Sequence, residues 1–233
     1  MPFRFQRFTI AHERCAHKVG TDGVLLGAWA DLAHARHILD IGTGSGLIAL
    51  MAAQRATQAT VVGIDIDKPS IAQARQNVAA TPFAERVTIL ENDIRAFTDA
   101  EGFDHILSNP PYHTETLLPP DARRARARHT AALSLPQLIT HAARLLSPEG
   151  MIHLIIPTAA QNEVTTAATH LGLHLVRLTL VKTTAQKTPR RTLLTWQRTN
   201  SPAPLQRDTL VLTTPEGTRT QQHQTLTQDF YIR

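Results

Sequence analysis

The sequence predicts an α/β fold in which a mostly parallel sheet is covered by helices on both faces. Three observations predict it. Short runs rich in β-branched residues alternate with helical runs along most of the chain. The first strong strand runs into a glycine-rich turn that opens a helix. Hydrophobic residues make up 42% of the 233 positions, enough for a substantial core without covalent staples.

Taken in order, residues 1–36 form an opening segment with a helix expected over Asp22–Leu32. The strand His37-Ile-Leu-Asp-Ile41 meets Gly42-Thr-Gly-Ser-Gly46, and a helical run follows over Leu47–Ala53. The strand Thr60–Asp65 precedes a helix over Pro69–Ala80, where Pro69 suits a first turn because an N–H there would be unpaired anyway. Strands follow at Val87–Leu90 and Phe103–Leu107, the second ending at Asn109-Pro-Pro-Tyr112. Next come a basic loop, Arg123–Arg128, a helix over Pro136–Leu146 and a turn at Ser147-Pro-Glu-Gly150. The strand Met151–Ile156, a helix over Gln161–Leu171 and strands Leu173–Val181 and Thr192–Trp196 complete the core. Residues 199–229 are rich in Thr, Gln and Pro, with a strand at Thr209–Leu212. There is no internal repeat and no boundary between two cores. A single domain is expected: a core over 37–198, with 1–36 and 199–233 as appendages.

Composition narrows the function classes. No run approaches the roughly 18 consecutive apolar residues of a membrane span. The opening Met1-Pro-Phe-Arg-Phe-Gln-Arg-Phe8 lacks the apolar stretch of a secretory signal. One cysteine, Cys15, excludes an intramolecular disulfide framework, so a cytoplasmic protein is expected. The net charge of +5 is unevenly spread: residues 1–121 hold 10 basic and 14 acidic residues, residues 122–233 hold 14 and 5. A basic half joined to a slightly acidic one suggests a polyanionic partner.

In Asp40-Ile-Gly-Thr-Gly-Ser-Gly46, glycines let the chain turn sharply and let a ligand approach without a Cβ in the way. Gly42, Gly44 and Gly46 follow the spacing G-x-G-x-G, with Leu at position 47. The third glycine comes too early for the dinucleotide fingerprint G-x-G-x-x-G, which holds a pyrophosphate. The form D-x-G-x-G-x-G, with Asp40 leading, is the loop of S-adenosylmethionine-dependent methyltransferases. Asp65, 19 positions after Gly46, ends the next strand, where an acidic residue can accept from ribose hydroxyls; Asp67 is the alternative. Asp93 closes the third strand, placed either to meet an adenine amino group or to cap a helix.

Ser108-Asn-Pro-Pro-Tyr112 ends the fourth strand and so faces the same crevice. Its residue types suit methylation of a planar nitrogen, whose lone pair is conjugated into a π-system. The Asn109 side chain and the Pro110 backbone each offer a C=O. Two acceptors can hold the two amino hydrogens and favour a pyramidal nitrogen. Two prolines stiffen the backbone that carries them, and Tyr112 supplies a flat face for a base. No strong general base is needed, because the nitrogen becomes acidic as the new bond forms.

With these motifs the chain resembles the class I S-adenosylmethionine-dependent methyltransferases of the N-P-P-Y amino-methylating group. More narrowly, it resembles the bacterial tRNA1(Val) adenine-37 N6-methyltransferase family. The narrow resemblance rests on Phe8–Trp29, above all Lys18–Trp29, on Leu39–Gly46 with Ser108–Tyr112, and on Leu226-Thr-Gln-Asp-Phe-Tyr231. It implies a Rossmann-like, seven-stranded sheet with its last strand antiparallel and S-adenosylmethionine as cofactor. The implied reaction is transfer to the exocyclic nitrogen of an anticodon-loop adenine, with tRNA as partner. It also implies that Lys18–Gly27 packs over the cofactor, which makes Lys18, Thr21 and Asp22 candidates there. The Thr/Gln-rich stretch 213–228 departs from the family pattern.

Arg123, Arg124, Arg126 and Arg128 follow the chemistry motif closely and could hold phosphates beside a base pocket. Lys182, Lys187, Arg190 and Arg191 form a second cluster between the last strands. Phosphate contacts supply affinity with little sequence reading, and a loop base is easily splayed into a pocket. A solvated charge run is the competing reading. His12, Cys15 and His17 lie close together, but no fourth ligand is evident and the spacing fits no zinc pattern, so no metal is expected. The other histidines are expected on surfaces, and Trp29 and Trp196 in packing. The rivals are a protein-glutamine N5-methyltransferase, an amino-methyltransferase of ribosomal RNA or DNA, and a non-catalytic binding module. The first usually carries an extra N-terminal helical domain, and about 36 residues before the glycine loop are too few for one. A monomer is the expected state.

Replacing Arg123, Arg124 and Arg126 together with alanine is expected to weaken RNA binding and to flatten its log–log salt dependence by about 2–3. Filter binding across a salt series measures both, and an unchanged slope would move the docking face elsewhere.

Overall fold

A computed structural model describes residues 2–15, 18–111 and 133–232. Among the described residues the strands are β1 Phe3–Arg4, β2 Thr9–Ile10, β3 His37–Ile41, β4 Thr60–Asp65, β5 Val87–Glu91, β6 Phe103–Ser108, β7 Leu146–Pro157, β8 Leu173–Lys182, β9 Arg191–Arg198 and β10 Gln206–Val211. The helices are α1 Thr21–Trp29, α2 Leu47–Arg55, α3 Lys68–Ala79, α4 Leu135–Leu145, α5 Gln161–His170 and α6 Gln221–Thr227.

β1 and β2 form a small antiparallel hairpin. The other eight strands make one sheet in the order β10-β8-β9-β7-β6-β3-β4-β5. β9 runs antiparallel to both of its neighbours, and every other pairing in this sheet is parallel. The seven strands expected of the core are present with β9 as the antiparallel one, and β10 adds an eighth at the edge beside β8.

The central strands read as continuous apolar runs because both of their faces are covered. Successive residues face opposite layers. Ile38 packs with α1, α2 and α3, while Leu39 packs with α4 and α5. Ile155 and Ile156 divide between the layers in the same way. α4 starts with a capping box: the Ser134 hydroxyl accepts the Gln137 N–H at 3.3 Å and the Gln137 side chain accepts the Ser134 N–H at 3.0 Å.

The segments flanking 37–198 are built into the core rather than appended to it. Phe5, Phe8, Ile10, Leu25, Leu26, Leu210 and Phe230 are buried in one layer. Gln6 joins the two ends of the chain, donating its backbone N–H to Phe230 and its side-chain amide to the Gln228 and Tyr231 carbonyls. α6 forms inside the Thr/Gln-rich stretch, where the Thr220 hydroxyl caps it by accepting the His223 N–H at 3.2 Å. The turn expected at Ser147–Gly150 is an excursion within β7. Phe103 pairs with Leu146 but His105 with Met151, and Glu149 takes a φ of 63° at the bulge.

The histidines correct a second expectation. His105, His153 and His223 are buried. His105 Nδ1 lies 3.0 Å from His153 Nε2, whose other nitrogen lies 2.9 Å from the Thr195 hydroxyl, and the two rings stack. β6, β7 and β9 supply one residue each to this chain. It satisfies polar atoms that would otherwise be stranded between layers. Trp196 is fully buried, and Trp29 donates its indole N–H to Thr179 at 3.0 Å beneath the Arg177 guanidinium.

Burial pushes His153 well below its usual 6.5, and burial also lowers His105. The folded state therefore holds both rings neutral, while the unfolded chain takes up protons below about 6.5. Stability conferred by these groups is present above that value and lost as pH falls. Thermal denaturation should show the wild type losing more stability than His153→Gln between about pH 6.5 and 5, since glutamine does not titrate. Parallel curves would remove the pair from the acid response.

Candidate functional site

β3, β4, β5, β6, β7 and β8 all end at one edge of the sheet, and the candidate site lies there. Its floor is the loop 42–46. Gly42, Gly44 and Gly46 take φ of 71°, 54° and 82°, a left-handed region that side chains resist. A Cβ on Gly42 would meet nothing within 4 Å, and one on Gly44 only the Gly42 carbonyl at 4.0 Å. Open space for a ligand lies over these two positions.

Asp40 holds the loop from below. Its carboxylate is fully buried, and Oδ2 accepts the Thr43 hydroxyl at 2.7 Å and the Ala49 N–H at 3.1 Å. Gly46, the N-cap of α2, has no side chain, so Asp40 supplies the missing cap and the negative charge favoured at a helix start. Oδ1 has no hydrogen-bond partner among the described residues. Burial pushes this carboxyl up to about 7, against the hydrogen bonds from Thr43 and Ala49.

The loop's own N–H groups turn inward. Those of Gly42 and Thr43 donate to the Ile64 carbonyl, that of Gly46 to Thr43, and that of Gly44 to Asp65 Oδ2 at 2.9 Å. A loop that cradles phosphate presents such groups to its ligand. Here the Gly42, Thr43, Gly44 and Gly46 N–H groups are already taken up, and at the ends of the neighbouring strands stand Asp65, Asp67, Glu91 and Asp93, of which Glu91 pairs with Lys68 and Asp93 with Arg95. The cradle fits an uncharged or cationic ligand and does not fit a pyrophosphate.

These carboxylates have distinct partners. Asp65 accepts from Gly44 and, through Oδ1, from the Asp67 N–H at 2.9 Å, and each oxygen keeps a further lone pair. Asp67 is the N-cap of α3 and accepts the Ser70 N–H at 3.0 Å, whereas Asp65 is bonded to the glycine loop. Asp93 is paired with Arg95, which holds its carboxyl below the usual range. Between Asp65 and Asp67, Ile66 is 62% exposed, a large apolar side chain turned to solvent at the cleft mouth. Sequence reasoning passed over it because it looks like one more strand residue; its place just past the end of β4 was the available signal.

Ser108 pairs in register with Ile41, and its hydroxyl donates to the Ile41 carbonyl at 2.8 Å. The next residue on each strand is therefore Asn109 beside Gly42. Pro110 is buried and Pro111 exposed. Asn109 Nδ2 lies 3.8 Å from the point a Cβ on Gly23 would occupy, so the first turn of α1 closes over it. Exposed Lys18 and Thr21 lead into that turn. Asp22 accepts from Arg191 Nε at 2.7 Å. Tyr112, Arg123, Arg124, Arg126 and Arg128 lie outside the described residues.

The second basic cluster sits on the β8–β9 turn at this same edge. Lys187 and Arg190 are exposed there, whereas Arg191 ties β9 to α1 through Asp22 and Lys182 reaches back to the Ala185 carbonyl. The side chains of His12 and Cys15 have different partners. His12 Nδ1 accepts the Val19 N–H at 3.1 Å. Burial raises the Cys15 thiol, against a hydrogen bond with Ser70, and Asp67 and Asp65 add to the rise. His17 lies outside the described residues.

A family model described as the methyltransferase small domain matches residues 18–186. A Phocaeicola vulgatus protein named tRNA1(Val) (adenine(37)-N6)-methyltransferase is 45% identical over 230 residues, 99% of this chain and 97% of its own. A protein of that name from Aeromonas hydrophila is 41% identical over 232 residues, again covering 99% and 97%. Among solved structures, one from Agrobacterium tumefaciens described as a predicted O-methyltransferase is similar with a TM-score of 0.69 and 22% identity, over 90% of this chain and 96% of that one. A Listeria monocytogenes structure assigned to the class I S-adenosylmethionine-dependent methyltransferases is similar with a TM-score of 0.59 and 17% identity, over 81% and 62%.

Asp40 offers a test of the loop's foundation. Its folded value of about 7 exceeds the ordinary 3.8, so between the two the folded state binds a proton that the unfolded chain does not. Stability from this group is present at low pH and lost as pH rises through about 7. Asparagine keeps an acceptor for Thr43 and Ala49 without titrating. Asp40→Asn should therefore melt at or above the wild type at about pH 8, with that advantage shrinking on acidification to about pH 5. A pH-independent difference in melting temperature would refute the assignment.

Proposed function

Because the chain belongs to the tRNA1(Val) (adenine(37)-N6)-methyltransferase family, we propose that it methylates the exocyclic N6 of adenine 37 in tRNA1(Val), working in the cytoplasm as one class I methyltransferase domain. One observation carries the reading. The Ile41–Ser108 pairing sets Asn109 and Pro110 beside a glycine loop in which the Gly42, Thr43, Gly44 and Gly46 N–H groups are taken up by the protein, with Asp65 next to it. Such a cleft suits a cationic nucleoside donor facing a flat amino group.

S-adenosylmethionine, when bound, supplies an electrophilic methyl group on a positively charged sulfur. Asp65 would hold ribose hydroxyls through its remaining lone pairs, and Ile66 and Asp93 would serve the donor's adenine. Gly42 and Gly44 leave the space above the loop clear. Asp40 holds that loop in shape from beneath. Lys18 and Thr21 close the cleft from the side of α1.

On the substrate side, the Asn109 side-chain oxygen and the Pro110 carbonyl accept the two amino hydrogens of adenine. That pair of acceptors draws the nitrogen out of conjugation and aims its lone pair toward the loop. Tyr112 stacks on the base. The methylated nitrogen would be acidic and would give its proton to solvent water, so positioning and electrostatics carry the acceleration. Lys187 and Arg190 supply phosphate contacts from the β8–β9 turn, and Arg123, Arg124, Arg126 and Arg128 supply more.

The test is to incubate the protein with isotopically labelled S-adenosylmethionine and tRNA lacking the modification, then to map labelled nucleosides by mass spectrometry. Label in N6-methyladenosine at position 37 of tRNA1(Val) is expected. Asn109→Ala should cut turnover by at least about 10²-fold, the cost of losing one preorganised acceptor, while cofactor affinity stays within a few-fold of wild type. Label in a protein glutamine, or normal turnover by Asn109→Ala, would overturn the assignment.

A further inference from the structure

Asn77 lies on α3, outside the residues that meet either ligand in the reading above. It is nonetheless 4% exposed, and three of its hydrogen bonds reach beyond its own helix. Its Oδ1 accepts the Ala11 N–H at 3.0 Å, while its Nδ2 donates to the Ala11 carbonyl at 2.8 Å and to the Ser45 carbonyl at 2.9 Å. Ala11 offers one donor and one acceptor, and Ser45 one acceptor. Satisfying all three takes a side chain with one acceptor and two donors, which at this length is asparagine. Aspartate would turn an oxygen toward two carbonyls, and serine has a single donor.

The two groups that Asn77 joins are the glycine loop and the N-terminal segment. Ser45 belongs to the glycine loop that forms the floor. Ala11 begins the segment that crosses to α1, where Val19 is fastened back to His12 and Cys15 rests against Ser70 beside Asp65 and Asp67. Three neutral hydrogen bonds in a buried site are costly to leave unmade. Asn77 stands in the last turn of α3, and its side chain spends its bonds on groups outside that helix.

We propose that Asn77 is a positioning residue for the cofactor. It sets the N-terminal segment in register with the glycine loop, so that both stand at the right separation before the cofactor enters. This rests on the reading of the cleft as the S-adenosylmethionine site. Preorganisation of this kind lowers the ordering cost of binding, so its loss appears in affinity rather than in the chemical step.

Cys15 gives a reporter that needs no cofactor, since it is the chain's one cysteine and lies partly buried in the held segment. In Asn77→Asp, alkylation of Cys15 by iodoacetamide should accelerate about tenfold or more. The KM for S-adenosylmethionine should rise by a similar factor, with kcat at saturation within about threefold and KM for tRNA unchanged. Lowering the pH should bring the KM of Asn77→Asp back toward wild type, because a protonated carboxyl regains a donor. Asn77→Ser, smaller and uncharged, carries the same expectation without the pH recovery if the aspartate variant folds poorly. Unchanged Cys15 reactivity, or faster alkylation with KM unaltered, overturns the proposal. Failure of the wild type to bind S-adenosylmethionine in calorimetry would instead overturn the reading beneath it, and the alkylation rates would still report whether Asn77 holds the segment.

Discussion

A carboxylate without solvent sits under the glycine loop, and the candidate site is arranged around it. Asp40 bonds the Thr43 hydroxyl and the first turn of α2 through one oxygen, which fixes the path of the chain between strand and helix. Burying an ionisable group is expensive, and here the cost appears as a carboxyl pushed up to about 7. What it secures is a loop closed on itself. Asp65 and the Ile64 carbonyl take up N–H groups that a phosphate-binding loop would present. The cleft therefore carries negative charge and open space rather than a nest of donors.

The same structure limits what charge arithmetic can say. Several arginines that contribute to the basic balance act inside the fold. Arg144 donates to the Ile94 and Phe97 carbonyls, Arg198 to Ala143 and Leu146, and Arg177 to Trp29 while covering its ring. Arg86, in the less basic half, satisfies Ala53, Ala56 and Ala59. Guanidinium suits this work because its fan of donors can close several helix-end carbonyls at once. Counting Arg191 with the RNA-facing cluster overlooked its ion pair with Asp22. Of that cluster, Lys187 and Arg190 stand exposed on the turn.

Much of the architecture was legible because it follows from local rules. The strands His37–Ile41 and Thr60–Asp65 were read to the residue, since each is an apolar run bounded by polar or glycine breaks. The helix starts at Lys68 and Leu135 lie within a residue of expectation, marked by proline in the first turn. The hairpin β1–β2 and helix α6 were not legible. Two-residue strands have no period to detect, and a Gln/Thr-rich helix of seven residues has little propensity of its own. The buried histidines were misplaced for a related reason. Nothing in the run Phe103-Asp-His-Ile-Leu tells that the partner of His105 is a second histidine 48 residues on.

The sequence by itself determined the alternation of strands and helices, the spacing of the glycines and the order in which Asp40, Asp65 and Asn109 follow strand ends, because these are short-range properties of the chain. It also determined the family resemblance through Lys18–Trp29 and Leu226–Tyr231. Only the tertiary structure decided which carboxylate caps a helix and which is bonded to the glycine loop, which arginines are engaged, and that Asn77 joins Ala11 to Ser45 across 66 and 32 residues of chain. Those outcomes depend on which groups are brought together after the sheet closes. A residue's type states what bonds it can make, and the packing around it settles which of them it does make.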